Sequence, residues 1–177
     1  MSGAAGAPWS VGAGAARTRV YVLVVDGCRP DEITSATTPR LHALRGAGRW
    51  YPRARSMPIM ETIPNHVMMM TGVRPDRSGV PANEIYDRGE RVVRTLDRPA
   101  DLRFATVLSR LRKRGLTTAT VLSKDYLYGI FGHRATYRWE PAPLLPITNH
   151  APDVFTVEAL TAMVRDADPD LVFAKLR

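Results

Sequence analysis

Residues 19–25, Arg-Val-Tyr-Val-Leu-Val-Val, form an almost continuous apolar, β-branched run that stops at Asp26-Gly27. A run without polar alternation predicts a strand buried on both faces of a parallel sheet. Thr38-Pro39 then supplies an N-cap and a first helical residue for a helix to about Arg45, ended by Gly46 and Gly48. A second extended segment over 49–55 leads into Met57–Asn83, where a proline-marked stretch opens a short helix over about 63–71 that stops at Gly72. Residues 73–83 read as loop, and 84–96 as a small hairpin across Asp87-Arg88-Gly89 with Arg91–Arg94 as its second arm.

Further on, Leu102, Ala105, Leu108 and Leu111 fall near one helical face, with Asp101 as the expected cap and Gly115 as the stop. Leu116–Leu122 reads as a strand, 124–152 as a long irregular region, Asp153–Arg165 as an amphipathic helix, and Leu171–Ala174 as a last strand. Strands and helices alternate from residue 19 onward. That order predicts an α/β fold, a mostly parallel central sheet with flanking helices. A flexible Gly/Ala-rich tail over 1–17 is expected to precede a single domain over 18–177.

Composition narrows the function classes. A hydrophobic fraction of 45% and a charged fraction of 24% are those of a globular chain, so disorder throughout is excluded. Lys and Arg outnumber Asp and Glu by 25 to 17, which favours anionic ligands without choosing among them. The basic residues are scattered. Their densest cluster, Arg110, Arg112, Lys113 and Arg114, reads as a solvated helix end rather than a nucleic-acid patch, so no specific nucleic-acid partner is expected. Cys28 is the single cysteine, which rules out an intrachain disulfide and a Cys-rich zinc motif. The first residues lack the basic and apolar regions of a signal peptide, and no apolar run is long enough to span a membrane, so a cytoplasmic location is expected.

The chemistry concentrates around Thr62, which falls at a predicted helix N-terminus where backbone amides favour an anion. It reads either as a helix cap or as a hydroxyl presented to a phosphate. Asp26, at the carboxyl end of a strand, reads as a turn cap or a metal ligand. Asn83 reads as a turn residue or a neutral donor to an oxyanion, a role worth ~3 kcal/mol when the donor is removed. Lys124, just after a strand, is a surface lysine or a contact for an anionic substrate.

Taken together, Asp26-Gly27, Thr38-Pro39-Arg40-Leu41, Thr62-Ile63-Pro64-Asn65-His66, Thr71-Gly72, Arg74-Pro75 and Ser78-Gly79-Val80 closing on Asn83 resemble the type I phosphodiesterase/nucleotide pyrophosphatase family of the alkaline phosphatase superfamily. The ordered motif covers residues 20–83, and the strand and helix order of the remainder resembles the family more loosely. The resemblance implies an alkaline-phosphatase-like hydrolase of phosphate esters or nucleotide-like small molecules, with two divalent metal ions, zinc by expectation. It assigns Thr62 as nucleophile and metal ligand, Asp26 as metal ligand and Asn83 as oxyanion donor. His66 matches a supporting position, and phosphonate-cleaving relatives share the threonine.

Some features depart from the family pattern. Ser78 stands where many relatives have histidine, and Glu61 precedes Thr62 where a neutral residue is common. An Asp-x-x-x-His pattern, an Asp-His pair and a final histidine, which hold most of the metal in relatives, do not occur here, and His42, His133 and His150 do not replace them. The chain is therefore expected to carry the N-terminal part of the catalytic domain and to be inactive alone. The competing expectation is a non-catalytic remnant that at most binds anions. A sulfatase is disfavoured because Cys28-Arg29-Pro30-Asp31-Glu32 ends in Glu32, without the arginine that closes the sulfatase motif.

Overall fold

The computed structural model describes residues 17–142 and 149–177, so the predicted tail, Arg17 apart, and residues 143–148 of the irregular region lie outside the described residues. The four strands β1 (Val20–Val25), β4 (Thr118–Leu122), β5 (Tyr137–Trp139) and β6 (Leu171–Leu176) build one sheet in the order β1-β6-β4-β5. Every pairing in it is parallel, with Val22 opposite Phe173 and Phe173 opposite Thr120. The predicted hairpin forms separately as β2 (Glu84–Asp87) and β3 (Val92–Thr95).

Side chains alternate across a strand, so the two faces of β6 meet different partners. Val172 and Ala174 pack with Ala119 and Val121 against Leu160, Met163 and Val164 of α6 (Asp153–Ala167). Leu171 and Phe173 point the other way, into the larger core. There they join Ile63, Val67 and Met70 of α2 (Thr62–Thr71), Leu108 of α4 (Val107–Arg112), and Ile130 and Phe131 of α5 (Tyr128–Phe131). By the same parity Lys175, two residues beyond Phe173, faces the α2 side.

Several boundaries differ from the sequence expectation. Strand β1 is half-buried on one face and exposed on the other: Val22 and Val24 pack on the core, while Tyr21, Leu23 and Val25 are exposed because α6 packs on β4 and β6. Residues 49–55 form no strand. The helix α1 (Pro39–Ala47) starts at the expected proline but buries no residue. The loop over 73–83 contains one short helix, α3 (Pro75–Ser78).

The expected cap at Asp101 is a misreading. Helix α4 begins after Thr106, whose hydroxyl accepts the Ser109 N–H at 3.2 Å. Asp101 instead accepts both terminal nitrogens of Arg94, at 2.7 and 3.0 Å, and the Arg98 N–H at 2.9 Å. Arg94 also donates to Asp87 at 2.9 Å, tying the hairpin to the loop before α4. The irregular region is partly structured, as α5 and the three-residue strand β5 show.

Asp170 anchors the start of β6. It accepts Arg17 Nε at 2.6 Å, the Thr117 N–H at 2.7 Å and the Thr117 hydroxyl at 2.9 Å. The Arg17 hydrogen bond is the largest cause holding its carboxyl down at about 2. A carboxylate with a lowered folded pKa binds protons less readily than the unfolded chain does, so its stabilisation is complete above the ordinary value near pH 4 and disappears as pH falls toward 2. Asp170→Asn is therefore expected to flatten the fall in melting temperature between pH 4 and 2, as followed by circular dichroism.

Candidate active site

The strands of the main sheet run parallel, so their carboxyl ends share one rim, the usual place for ligands in open α/β sheets. Asp26 follows β1 there, Lys124 lies just beyond β4, and Lys175 belongs to the end of β6. Helix α2 brings its first turn to the same rim. Its N-cap is Glu61, in extended backbone with φ −101° and ψ 153°, so Thr62 is the first helical residue and not the cap.

Short-range bonds fix this turn. Asn65 Nδ2 donates to the carbonyls of Ile59 and Glu61, each at 2.8 Å, and its Oδ1 accepts the Met57 N–H at 3.1 Å. His66, 3% exposed, places Nδ1 at 2.6 Å from the Thr62 carbonyl. Burial pushes its pKa down, so a neutral ring donating from Nδ1 is the favoured form. Asn83 Oδ1 accepts the Ile63 N–H at 2.8 Å, and the Asn83 N–H donates to the Glu61 carboxylate. Gly72, at φ 72°, stops the helix with its N–H on the Met68 carbonyl at 2.8 Å.

The structure thus brings together Asp26, Thr62 and Asn83, the three residues singled out from the sequence. The Thr62 hydroxyl donates to Asp26 Oδ2 at 3.3 Å. Two ammonium groups meet the same oxygen: Lys124 Nζ hydrogen-bonds to it at 2.9 Å, and Lys175 Nζ forms an ion pair with it at 3.3 Å. Burial pushes the Asp26 carboxyl up, but the Lys124 hydrogen bond and the two ammonium charges prevail and hold it at about 2. Burial and the neighbouring Lys124 charge press Lys175 below the ordinary lysine value. Lys124 is raised: its desolvation is outweighed by bonds to Tyr126 and Asp26.

Sequence reasoning weighed Lys124 mainly as a surface residue, and the structure places it inside the site with its side chain 18% exposed. Lys175 was missed. The available signal was its position in the otherwise apolar run Leu171-Val172-Phe173-Ala174-Lys175-Leu176, where strand parity puts it on the core face with Phe173. Ser78 is buried in α3, and its hydroxyl accepts the Val80 N–H at 3.4 Å, a turn contact outside this cluster.

Beside the cluster opens a cleft of about 540 Å³, lined by Glu61, Ile63, Asn83, Tyr126 and Asn149 among others. The Lys124 ammonium lies 5.6 Å from the centre of the Tyr126 ring. The cleft is within the ordinary size range for small-molecule sites.

The residues present do not fit the two-metal centre expected from the resemblance. Among the described residues no group of three or more His, Cys, Asp or Glu side chains is placed to hold a metal ion. The oxygen of Asp26 that faces Thr62 is already met by two ammonium groups. Structural zinc sites use four protein ligands and catalytic ones three, a number that Asp26 and Thr62 do not supply.

The fold is alkaline-phosphatase-like. Phosphonoacetate hydrolase from Sinorhizobium meliloti 1021, solved with phosphonoformate, superposes with a TM-score of 0.69 at 20% identity over 90% of this chain and 46% of its own. An inactive murine ectonucleotide pyrophosphatase / phosphodiesterase 5 in complex with AMP gives a TM-score of 0.70 at 19% identity, over 90% of this chain and 43% of its own. Within that class the chain belongs to the type I phosphodiesterase / nucleotide pyrophosphatase family, whose model matches residues 20–170. A bis(5'-adenosyl)-triphosphatase of Xenopus laevis is 29% identical over 75 residues, 42% of this chain and 17% of that protein. Human ectonucleotide pyrophosphatase/phosphodiesterase family member 5 is 29% identical over 69 residues, 39% of this chain and 14% of that protein. The chain therefore spans under half the length of these solved structures and under a fifth of these curated relatives. No helix among the described residues is long and apolar enough to cross a membrane.

Proposed function

We propose that this chain carries the nucleophile-bearing part of a phosphodiester-hydrolysing site for nucleotide-like phosphate esters, with Thr62 as the attacking group. The observation that carries the reading is the convergence of the Thr62 hydroxyl, Lys124 and Asp26 on one rim, with Asn83 bonded to the same helical turn. Lys124 supplies a cation for a phosphoryl oxygen. Asn83 has its Oδ1 committed to Ile63 N–H, so Nδ2 is the end of the amide turned to oxyanion duty. The cleft with Tyr126 receives the rest of the ester, the aromatic ring offering a face to a base.

In the chemical step the Oγ1–P bond forms as the ester P–O bond breaks, the hydroxyl proton leaves toward Asp26 Oδ2, the departing alkoxide takes a proton from solvent, and water then cleaves the Oγ1–P bond to restore the hydroxyl. That carboxylate, held near 2, is a weak base, and a threonine hydroxyl needs strong activation to attack. The chain alone is accordingly a binding site without turnover. Incubation with bis(p-nitrophenyl) phosphate and added zinc is expected to release no more p-nitrophenol than the Thr62→Ala variant does. Release that depends on Thr62 would contradict this part of the reading, and failure of AMP to bind in isothermal titration calorimetry would contradict the assignment of the site itself.

A further inference from the structure

We infer that Lys175 is a resident cation of Asp26, occupying the carboxylate in place of a divalent metal ion. Lys175 is fully buried, 0% exposed, on the α2 face of the central strand β6. Its ammonium lies 3.3 Å from Asp26 Oδ2 and makes no hydrogen bond among the described residues. Such a group is expensive to bury unless a counter-charge faces it, and Asp26 is the carboxylate in that position. Lys124 reaches the same oxygen at 2.9 Å from the rim, and the Thr62 hydroxyl reaches it at 3.3 Å.

A divalent ion bound to this oxygen would sit against two ammonium groups. Lys124, with its side chain 18% exposed, has room to turn toward solvent, whereas Lys175 is fully buried. Lys175 is thus the member of the pair that a metal cannot displace by a simple side-chain rotation. The inference goes beyond the proposed function and is independent of Thr62 acting as nucleophile, because it concerns only what neutralises Asp26.

Paramagnetic Mn²⁺ tests it, since it broadens nearby amide signals even when bound weakly. In ¹⁵N-labelled wild-type chain, added Mn²⁺ is expected to leave the Gly27 and Ile63 amides no broader than the spectrum as a whole. Lys175→Met, which keeps volume and removes charge, is expected to produce selective loss of both signals. Lys124→Met, with Lys175 retained, is expected to behave as wild type. Selective broadening at Gly27 and Ile63 in the wild type would overturn the inference, as would its absence in a folded Lys175→Met chain or its appearance on Lys124→Met alone. If Lys175→Met does not fold, the wild-type and Lys124→Met spectra still decide against the inference should either show that broadening.

Discussion

Asp26→Asn is expected to lower the stability of the chain by about 3 kcal/mol, the lower end of the range for removing one partner of a buried ion pair. The lower end applies because the Asp26 side chain is 29% exposed although Lys175 is fully enclosed. The loss comes less from the missing attraction than from the ammonium left buried without its counter-charge. Asparagine keeps the shape and a carbonyl acceptor, so packing changes little. In a Lys175→Met background the same Asp26→Asn change is expected to cost under about 1 kcal/mol, since no enclosed charge is then stranded. Urea unfolding of the four chains at neutral pH measures the difference, and equal costs in the two backgrounds would mean that Lys175 and Asp26 are not energetically coupled.

The second large effect is on ligand binding. Lys124→Ala is expected to weaken AMP binding roughly tenfold or more, the size of one lost hydrogen bond to a charged group at about 1.4 kcal/mol per decade. Two causes act in the same direction: the phosphoryl group loses a cation, and Asp26 loses one of the two ammonium groups that mask its negative charge. Thr62→Ala removes a hydroxyl whose proposed role lies in bond formation, so it is expected to shift the affinity less than about threefold. Calorimetric titration of the three chains separates these cases. A Thr62→Ala loss larger than that of Lys124→Ala would make Thr62 the principal binding group.

Much of this architecture was legible in the sequence because α/β order depends on local signals. The apolar run before Asp26, Thr38-Pro39 and the Gly72 stop each act within a few residues, and their elements appear close to the expected bounds. What the sequence concealed depends on distant partners. The exposed face of β1 follows from how far α6 reaches across the sheet, which no pattern inside residues 20–25 encodes. Asp101 looked like a cap because Leu102 and Ala105 extend the helical spacing of Leu108 and Leu111, yet Leu102 is buried from a loop and Asp101 is held by Arg94 of the hairpin. Strand β5 has only three residues and lacks a pattern long enough to detect.

The site divides in the same way. The ordered motif from Asp26 to Asn83 pointed to three residues that the structure brings to one rim. Lys124 and Lys175 arrive from β4 and β6, 98 residues or more along the chain from Asp26, through strand order and register. They alter the chemistry expected of Asp26 most, turning a bare carboxylate into the centre of an ion-pair cluster. Asn65 and His66 are a further layer, readable as part of Pro64-Asn65-His66 but assignable as supports of the Thr62 turn only from their bonds.

The central claim, that the rim around Thr62 receives the phosphoryl group of a nucleotide-like ester, is tested most directly by titrating AMP into the ¹⁵N-labelled chain and mapping amide shifts. The shifts are expected to centre on Gly27, Thr62, Ile63, Asn83 and Lys124, and to extend to Tyr126 in the adjoining cleft. Shifts confined to the separate cleft of about 530 Å³ lined by Arg55, Met57, Met68 and Arg74 would contradict the account, because that cleft also offers two cations to a phosphate.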